Sequence, residues 1–291
     1  MNMTRIDLHT HSTASDGTDS PAELIRKAVQ AKLAVLALTD HDTLDGLDEA
    51  EQEAHDTGLV FVRGCELSTA TAWGEAHFLG LWIPERGSRT VVLEKALAQV
   101  REKRRIRNLR IAGKLRALGL DVTYEAAAAL AGGRVVGRPH FAELLCRMGV
   151  VEDRKEAFRK YLGRDGAAYE PRELMSPQQA VSLLKSSGAL VSMAHPRLLR
   201  APVEELARML SDLKASGLDA IEAYHSEHDP GDVRLCVELA ARYDLQITGG
   251  SDYHGLAKPK IELGVGRGNL RVGLNVYEAL MKYREQRGLD V

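Results

Sequence analysis

Seven short apolar runs recur along the chain, and most of them stop at a polar cluster. They read "RIDLHTH", "AVLALTDHD", "LVFVRGCEL", "EAHFLGLWI", "ALVSMAHP", "DAIEAYH" and "LQITGGSDYH". Apolar runs of this length, bounded by polar residues, predict buried strands. Between several of them the period changes to that of a helix. "SPAELIRKAVQA" opens with Ser20 as N-cap, Pro21 in the first turn and Glu23 at the capping-box position. "SPQQAVSLLKSSG" repeats this grammar with Ser176 and Pro177 and stops at Gly188, and "GDVRLCVELAARYD" is amphipathic in the same way. Strands alternating with helices predict an α/β fold, a parallel sheet covered by helices. Six of the runs end at or beside residues able to bind a metal, whereas "EAHFLGLWI" carries its His77 near the start. Polar residues gathered at the ends of many strands favour a barrel, whose sites lie on the rim, over an open sheet with one crevice.

The alternation breaks from about Leu93 to Asp165. Here every pattern is helical: "EKALAQVREKRRIRNLRIAGKLRALG", "TYEAAAALAGG", "RPHFAELLCRMG" and "DRKEAFRKYLG". The expected organisation is a barrel built from residues 1–98 and 166–291, with a small helical domain inserted at 99–165. Charge supports the division. Net charge is −2, yet residues 99–165 hold 16 Lys and Arg against 8 Asp and Glu, which leaves 23 against 33 elsewhere. A basic segment in an otherwise acidic chain predicts an anionic substrate met by one part and cations held by the other.

The chemistry collects at the strand ends. Alternation along the first strand points His9 and His11 to one side, roughly 6.5–7 Å apart. With them stand Asp16, His41, Glu66, His77, His195, Asp252 and His254. A lone histidine at a strand end is ordinarily a hydrogen-bonded structural residue. Five strand ends carrying such residues to the same rim predict a metal centre instead. The mixed nitrogen and oxygen donors without thiolate suit Mn²⁺, Fe²⁺ or Zn²⁺, with Mn²⁺ the expected ion. Asp40 is expected to orient a ligand imidazole.

The motifs "DLHTHSTASDG", "LTDHD", "ELS", "MAHP" and "GSDYHG" together resemble the PHP family, named for polymerase and histidinol phosphatase domains. The resemblance covers about 1–98 and 166–291. It implies a distorted seven-stranded (β/α) barrel with two to three divalent metal ions. Carried over residue by residue, it implies a first metal on His9, His11, Glu66 and Asp252. Glu66 would bridge to a second metal on His77 and His195, and Asp16, His41 and His254 would hold a third. Glu66, Asp252 and His195 are thereby expected to be catalytic, together with Arg197 beside "AHP". A water shared between two divalent cations is acidic enough to supply hydroxide near neutral pH for attack on phosphorus.

The resemblance extends to the short members with a helical insertion, which implies a phosphatase removing the 3′-phosphate of nucleoside 3′,5′-bisphosphates such as pAp. The alternatives are a 5′→3′ exoribonuclease on short RNA, a histidinol-phosphate phosphatase and, outside catalysis, a metal-stabilised regulatory module. Arg134, Arg138 and His140 in "GGRVVGRPHFAELL" are expected to bind a second anionic group, and Arg197 to fork onto a phosphate. His225 and His228 are weaker candidates for substrate contact, and His55 is expected to be inert. The expected partners are therefore a small anionic nucleotide and, in the alternative, short RNA; no protein partner is inferred. Three cysteines without a C-x-x-C pair, no apolar run long enough for a bilayer and no leader-like start predict a reducing, cytoplasmic setting.

Overall fold

The computed structural model describes residues 4–132 and 135–289. Residues up to Ala96 together with those from Met175 onward form one compact unit, and Leu97–Leu174 form a second.

In the first unit the strands β1 (Arg5–Asp7), β2 (Leu33–Leu38), β3 (Val60–Thr71), β4 (Gly74–Leu81), β5 (Leu190–Ala194), β6 (Ala220–His225) and β7 (Gln246–Gly250) form one sheet in sequence order. Its edges meet: Leu8 N donates to Gly249 O at 3.2 Å and Asp252 N to His9 O at 2.9 Å. The sheet is thus a seven-stranded barrel, the α/β fold that the strand pattern predicts. Closure demands a glycine at 250, where a Cβ would stand 2.4 Å from the backbone nitrogen of His9.

One strand departs from the expected parallel sheet. β4 runs antiparallel to both β3 and β5. This reversal accounts for the position of His77 within its apolar run. The start of an antiparallel strand lies where its neighbours end, and His77 is paired with Ser68 on one side and Ala194 on the other. All seven runs therefore contribute to one rim.

The interior is aliphatic, with Ile6, Leu8, Val35, Val62, Leu79 and Leu190 in one buried cluster. Burial of each such side chain stabilises the fold by about 1.5–3 kcal/mol. The helices start where the sequence places them. Ser20 Oγ accepts from Glu23 N at 3.2 Å while the Glu23 carboxylate accepts from Ser20 N at 2.8 Å. The same reciprocal box opens Pro177–Ser186, and Asp229 caps Pro230–Arg242.

The second unit holds most of the helix Val91–Ala117, then Tyr124–Ala131, Arg138–Arg147 and Arg154–Ala157, the last continuing into a single π turn at Phe158–Leu162. Its core gathers Ile111, Leu115, Phe141, Leu145, Leu162 and Ala168. The division falls at Leu97 and Leu174 rather than at 99 and 165. Ala168 belongs to this core, and Glu170 is tied to the long helix by Arg107 Nε on its carbonyl (2.9 Å) and Lys114 Nζ on its carboxylate (2.8 Å). The segment 166–174 has no periodicity, so nothing in its pattern assigns it to the helices. No helix among the described residues is long and apolar enough to cross a membrane.

Candidate metal centre

Glu66 is the hub of the rim. It is 1% exposed, and five imidazoles face its two oxygens. His77 Nδ1 lies 3.0 Å and His195 Nε2 3.1 Å from Oε1. His41 Nδ1, His11 Nε2 and His9 Nε2 lie 3.1, 3.2 and 3.4 Å from Oε2. Each oxygen thus has its own set of nitrogens, as a carboxylate shared between two cations requires. Asp252 Oδ1 lies 3.4 Å from His11 Nε2 and 3.7 Å from His9 Nε2, beside the Oε2 set. Asp16 closes a further group, with His254 Nε2 at 3.3 Å, His11 Nδ1 at 3.8 Å and His41 Nε2 at 3.9 Å. All nine residues that the sequence nominates as ligands meet here.

The backbone is strained where it presents them. His195 (φ 27°) and Asp252 (φ 57°) both occupy left-handed conformations. Such geometry costs about 1–3 kcal/mol per residue and persists at functional sites because the surrounding structure imposes it.

The donor set fits divalent cations on its own terms. His9 Nε2, both ring nitrogens of His11, His41 Nδ1 and Glu66 Oε2 are buried without a hydrogen-bond partner among the described residues. Buried polar atoms are ordinarily paired, so this many orphans in one place fit a site for cations. The tautomers agree. His9 Nδ1 donates to Glu222 at 3.0 Å, and His254 Nδ1 donates to the carbonyl of Asp252 at 2.8 Å. Each leaves an Nε2 lone pair turned into the cluster.

Electrostatics follow the crowding. Burial alone would raise the carboxyl of Glu66, but His41, His9 and His77 hold it well below the usual range. Burial likewise opposes ionisation of Asp252 and is outweighed, first by the nearby imidazole of His11. Burial pushes His41 well down and His195 down. His11 goes the other way: burial would lower it, yet Asp252 and Glu66 carry it up to about 9.

Other expectations are placed differently. Asp40 touches no imidazole among its hydrogen-bond partners: it accepts from Ser12 N (2.9 Å), Ser12 Oγ (2.6 Å) and Ser15 Oγ (2.5 Å) and so fixes the loop after His11. Arg197 is held through Nε by Asp232 at 2.8 Å and is not part of the cavity wall. Arg138 donates to the carbonyl of Leu162 (3.2 Å) and stacks on Phe158 within the helical unit, while His140 Nδ1 accepts from Gly137 N at 3.1 Å, a helix-capping contact. Arg134 lies outside the described residues. A cavity of about 430 Å³ in that unit is lined instead by Arg101, Arg104 and Arg105, with Asn108 and Tyr124. His225 stands with Nε2 at 3.5 Å from Asp252 Oδ2, and His228 Nδ1 donates to the carbonyl of Ala223 at 3.0 Å. The three cysteines are free.

Sequence reasoning passed over three residues. Glu222, wholly buried on β6, orients His9. Asp7, wholly buried on β1, accepts from Ser251 N (2.8 Å), Ser251 Oγ (2.5 Å) and Gly264 N (2.8 Å), which fixes the chain just before Asp252. Lys258 sits on the cavity beside the cluster. A carboxylate inside an otherwise apolar strand was the available signal for the first two, because a buried charge persists only with partners.

The cavity opens directly on the cluster, with a volume of about 310 Å³. Polar walls from His41, Glu66, His77, His195 and Asp252 meet apolar ones from Met193, Leu198 and Leu199.

Comparison with known proteins agrees with this chemistry. The PHP domain model matches residues 7–161. A 5′-3′ exoribonuclease of Haemophilus influenzae is 34% identical over 250 residues, 86% of this chain and 90% of the relative. A 3′,5′-nucleoside bisphosphate phosphatase of Chromobacterium violaceum is 32% identical over 253 residues, 87% of this chain and 88% of the relative. A solved structure from Bifidobacterium adolescentis, classed as a metal-dependent phosphoesterase, superposes with a TM-score of 0.79 at 29% identity over 95% of both chains. With the family model, the relatives and the nine-residue rim in agreement, the chain belongs to the PHP domain family of metal-dependent phosphoesterases.

Proposed function

We propose that this phosphoesterase removes the 3′-phosphate of nucleoside 3′,5′-bisphosphates, as the name of the Chromobacterium violaceum relative suggests. The observation that carries the reading is the cavity on the rim. At about 310 Å³ it lies at the small end of ligand sites and suits one nucleotide end rather than a strand. Its walls carry no Phe, Tyr or Trp on which successive bases could stack.

His9, His11, Glu66 and Asp252 would hold one cation, His77 and His195 with Glu66 a second, and Asp16, His41 and His254 a third. Bound there, divalent ions acidify a water and offset the charge on a transferring phosphoryl group. The protein's own groups prepare that chemistry. Glu222 and the Asp252 carbonyl fix the tautomers of His9 and His254. Glu66 and Asp252 stay ionised at neutral pH, so the cluster keeps its negative charge. Met193, Leu198 and Leu199 give one side of the cavity an apolar wall. The excess of positive charge in 99–165 favours a substrate with more than one anionic group.

A second reading, 5′→3′ exoribonuclease action, is favoured by the name and the 34% identity of the Haemophilus influenzae relative. The two separate in one assay of Mn²⁺-loaded protein with pAp, 5′-AMP, 3′-AMP and a 5′-phosphorylated trinucleotide. Phosphate release from pAp with 5′-AMP as product supports the phosphatase. Mononucleotides from the trinucleotide with pAp untouched would replace it by the nuclease.

A further inference from the structure

We propose that Lys258 is a phosphate-contacting residue of the site, a cation contributed by this chain beside the metal-binding cluster. The inference rests on the phosphoesterase reading and names a group that the ligand motifs do not include.

The two oxygens of Asp252 face different neighbours. Oδ1 lies 3.4 Å from His11 Nε2, 3.4 Å from His254 Nδ1 and 3.7 Å from His9 Nε2. Oδ2 lies 2.5 Å from Lys258 Nζ and 3.5 Å from His225 Nε2. The ammonium therefore approaches the carboxylate from the side turned away from His9, His11 and His254, and it lines the same cavity as Glu66, His77 and His195.

An ammonium has three donor protons. Asp252 occupies one, and the side chain is 38% exposed, so two remain for an oxyanion entering the cavity. The stem starts from a fixed point: Lys258 N donates to Gly255 O at 3.2 Å, Ile261 N donates to Lys258 O at 3.0 Å, and Pro259 follows directly. As a stabilising ion pair alone, a partly exposed lysine would contribute little. On the wall of a cavity built for phosphoryl groups the same charge meets its ligand at close range. Arg197, the residue that the sequence nominates for this contact, is held through Nε by Asp232 and does not line this cavity.

The test is equilibrium binding of inorganic phosphate to Mn²⁺-loaded protein by calorimetry, for wild type, Lys258→Met and Lys258→Arg, with manganese content measured on the same samples. Loss of a charge-assisted contact should weaken phosphate binding by about 10–100-fold in K258M, with K258R intermediate and manganese content unchanged. Equal phosphate affinity in K258M would overturn the assignment. So would a fall in manganese content, which would make Lys258 a support for Asp252 only. A wild type that binds phosphate through Lys258 yet hydrolyses no phosphoester would uphold the assignment and sink the phosphatase reading alone.

Discussion

His77 Nδ1 lies 3.0 Å from Glu66 Oε1, although the two residues sit on strands that run in opposite directions. The β3–β4 hairpin makes this contact possible. Glu66 stands just past the middle of the outgoing strand and His77 just before the middle of the returning one, so both reach the same rim. A fully parallel barrel with a crossover helix would have carried His77 to the far end.

Glu222 is in none of the three ligand sets proposed above and acts on the site through His9 Nδ1. Glu222→Gln keeps the shape and removes the charge. Metal affinity or activity should fall by roughly 10–100-fold, the range for groups that orient a ligand imidazole. Thermal unfolding of the metal-free protein should change far less. Metal titration of the variant checks this, and wild-type affinity would count against the role.

Protons compete with cations for the first two histidines. In the metal-free protein, burial pulls both rings down, yet carboxylates win: Glu222 and Glu66 raise His9 well above its ordinary value, and Asp252 and Glu66 raise His11 to about 9. At pH 7.5 His11 therefore carries a proton that it must lose to bind a cation. Manganese binding should release about one proton per chain at pH 7.5, and apparent affinity should rise as pH climbs towards 9. Calorimetry in buffers of different ionisation heat measures the release. No release at pH 7.5 would contradict the assigned states.

Closure of the barrel depends on Gly250. Its missing side chain lets β7 approach the backbone of His9, and an added Cβ would also stand 2.9 Å from Asp7 Oδ1. Gly250→Ala should cost about 1–3 kcal/mol as overpacking against groups that cannot retreat. A chemical denaturation midpoint equal to wild type would show that the two edges are looser than the hydrogen bonds across them imply.

Much of this was legible before any coordinates. Every ligand except His77 stands at or after the end of an apolar run that has to be buried, so most of the rim could be assembled from strand ends alone. Strand direction was not legible, since a period of two is the same read either way. The early position of His77 in its run, and the short link from Leu67 to Glu75 that leaves no room for a crossover, were the traces of the reversal. Glu222 and Asp7 were hidden for a related reason: within a strand, an isolated charge resembles a solvent-facing position. Asp40 was assigned to an imidazole because it neighbours His41 in sequence, whereas its actual partners come from the loop at Ser12 and Ser15. Arg197 meets Asp232 and Lys258 lines the cavity, because loop residues choose their partners in three dimensions.

The central claim, that the Glu66 cluster is a metal centre for phosphoester hydrolysis, meets its most direct test in one titration. Manganese is added stepwise to chelator-treated protein, and phosphate release from pAp is followed at each step beside bound metal. The structure predicts negligible release without metal and a rise that requires more than one bound ion per chain, because each Glu66 oxygen faces its own set of imidazoles. Full activity in the metal-free protein, or none on any phosphoester with the ions bound, would contradict it.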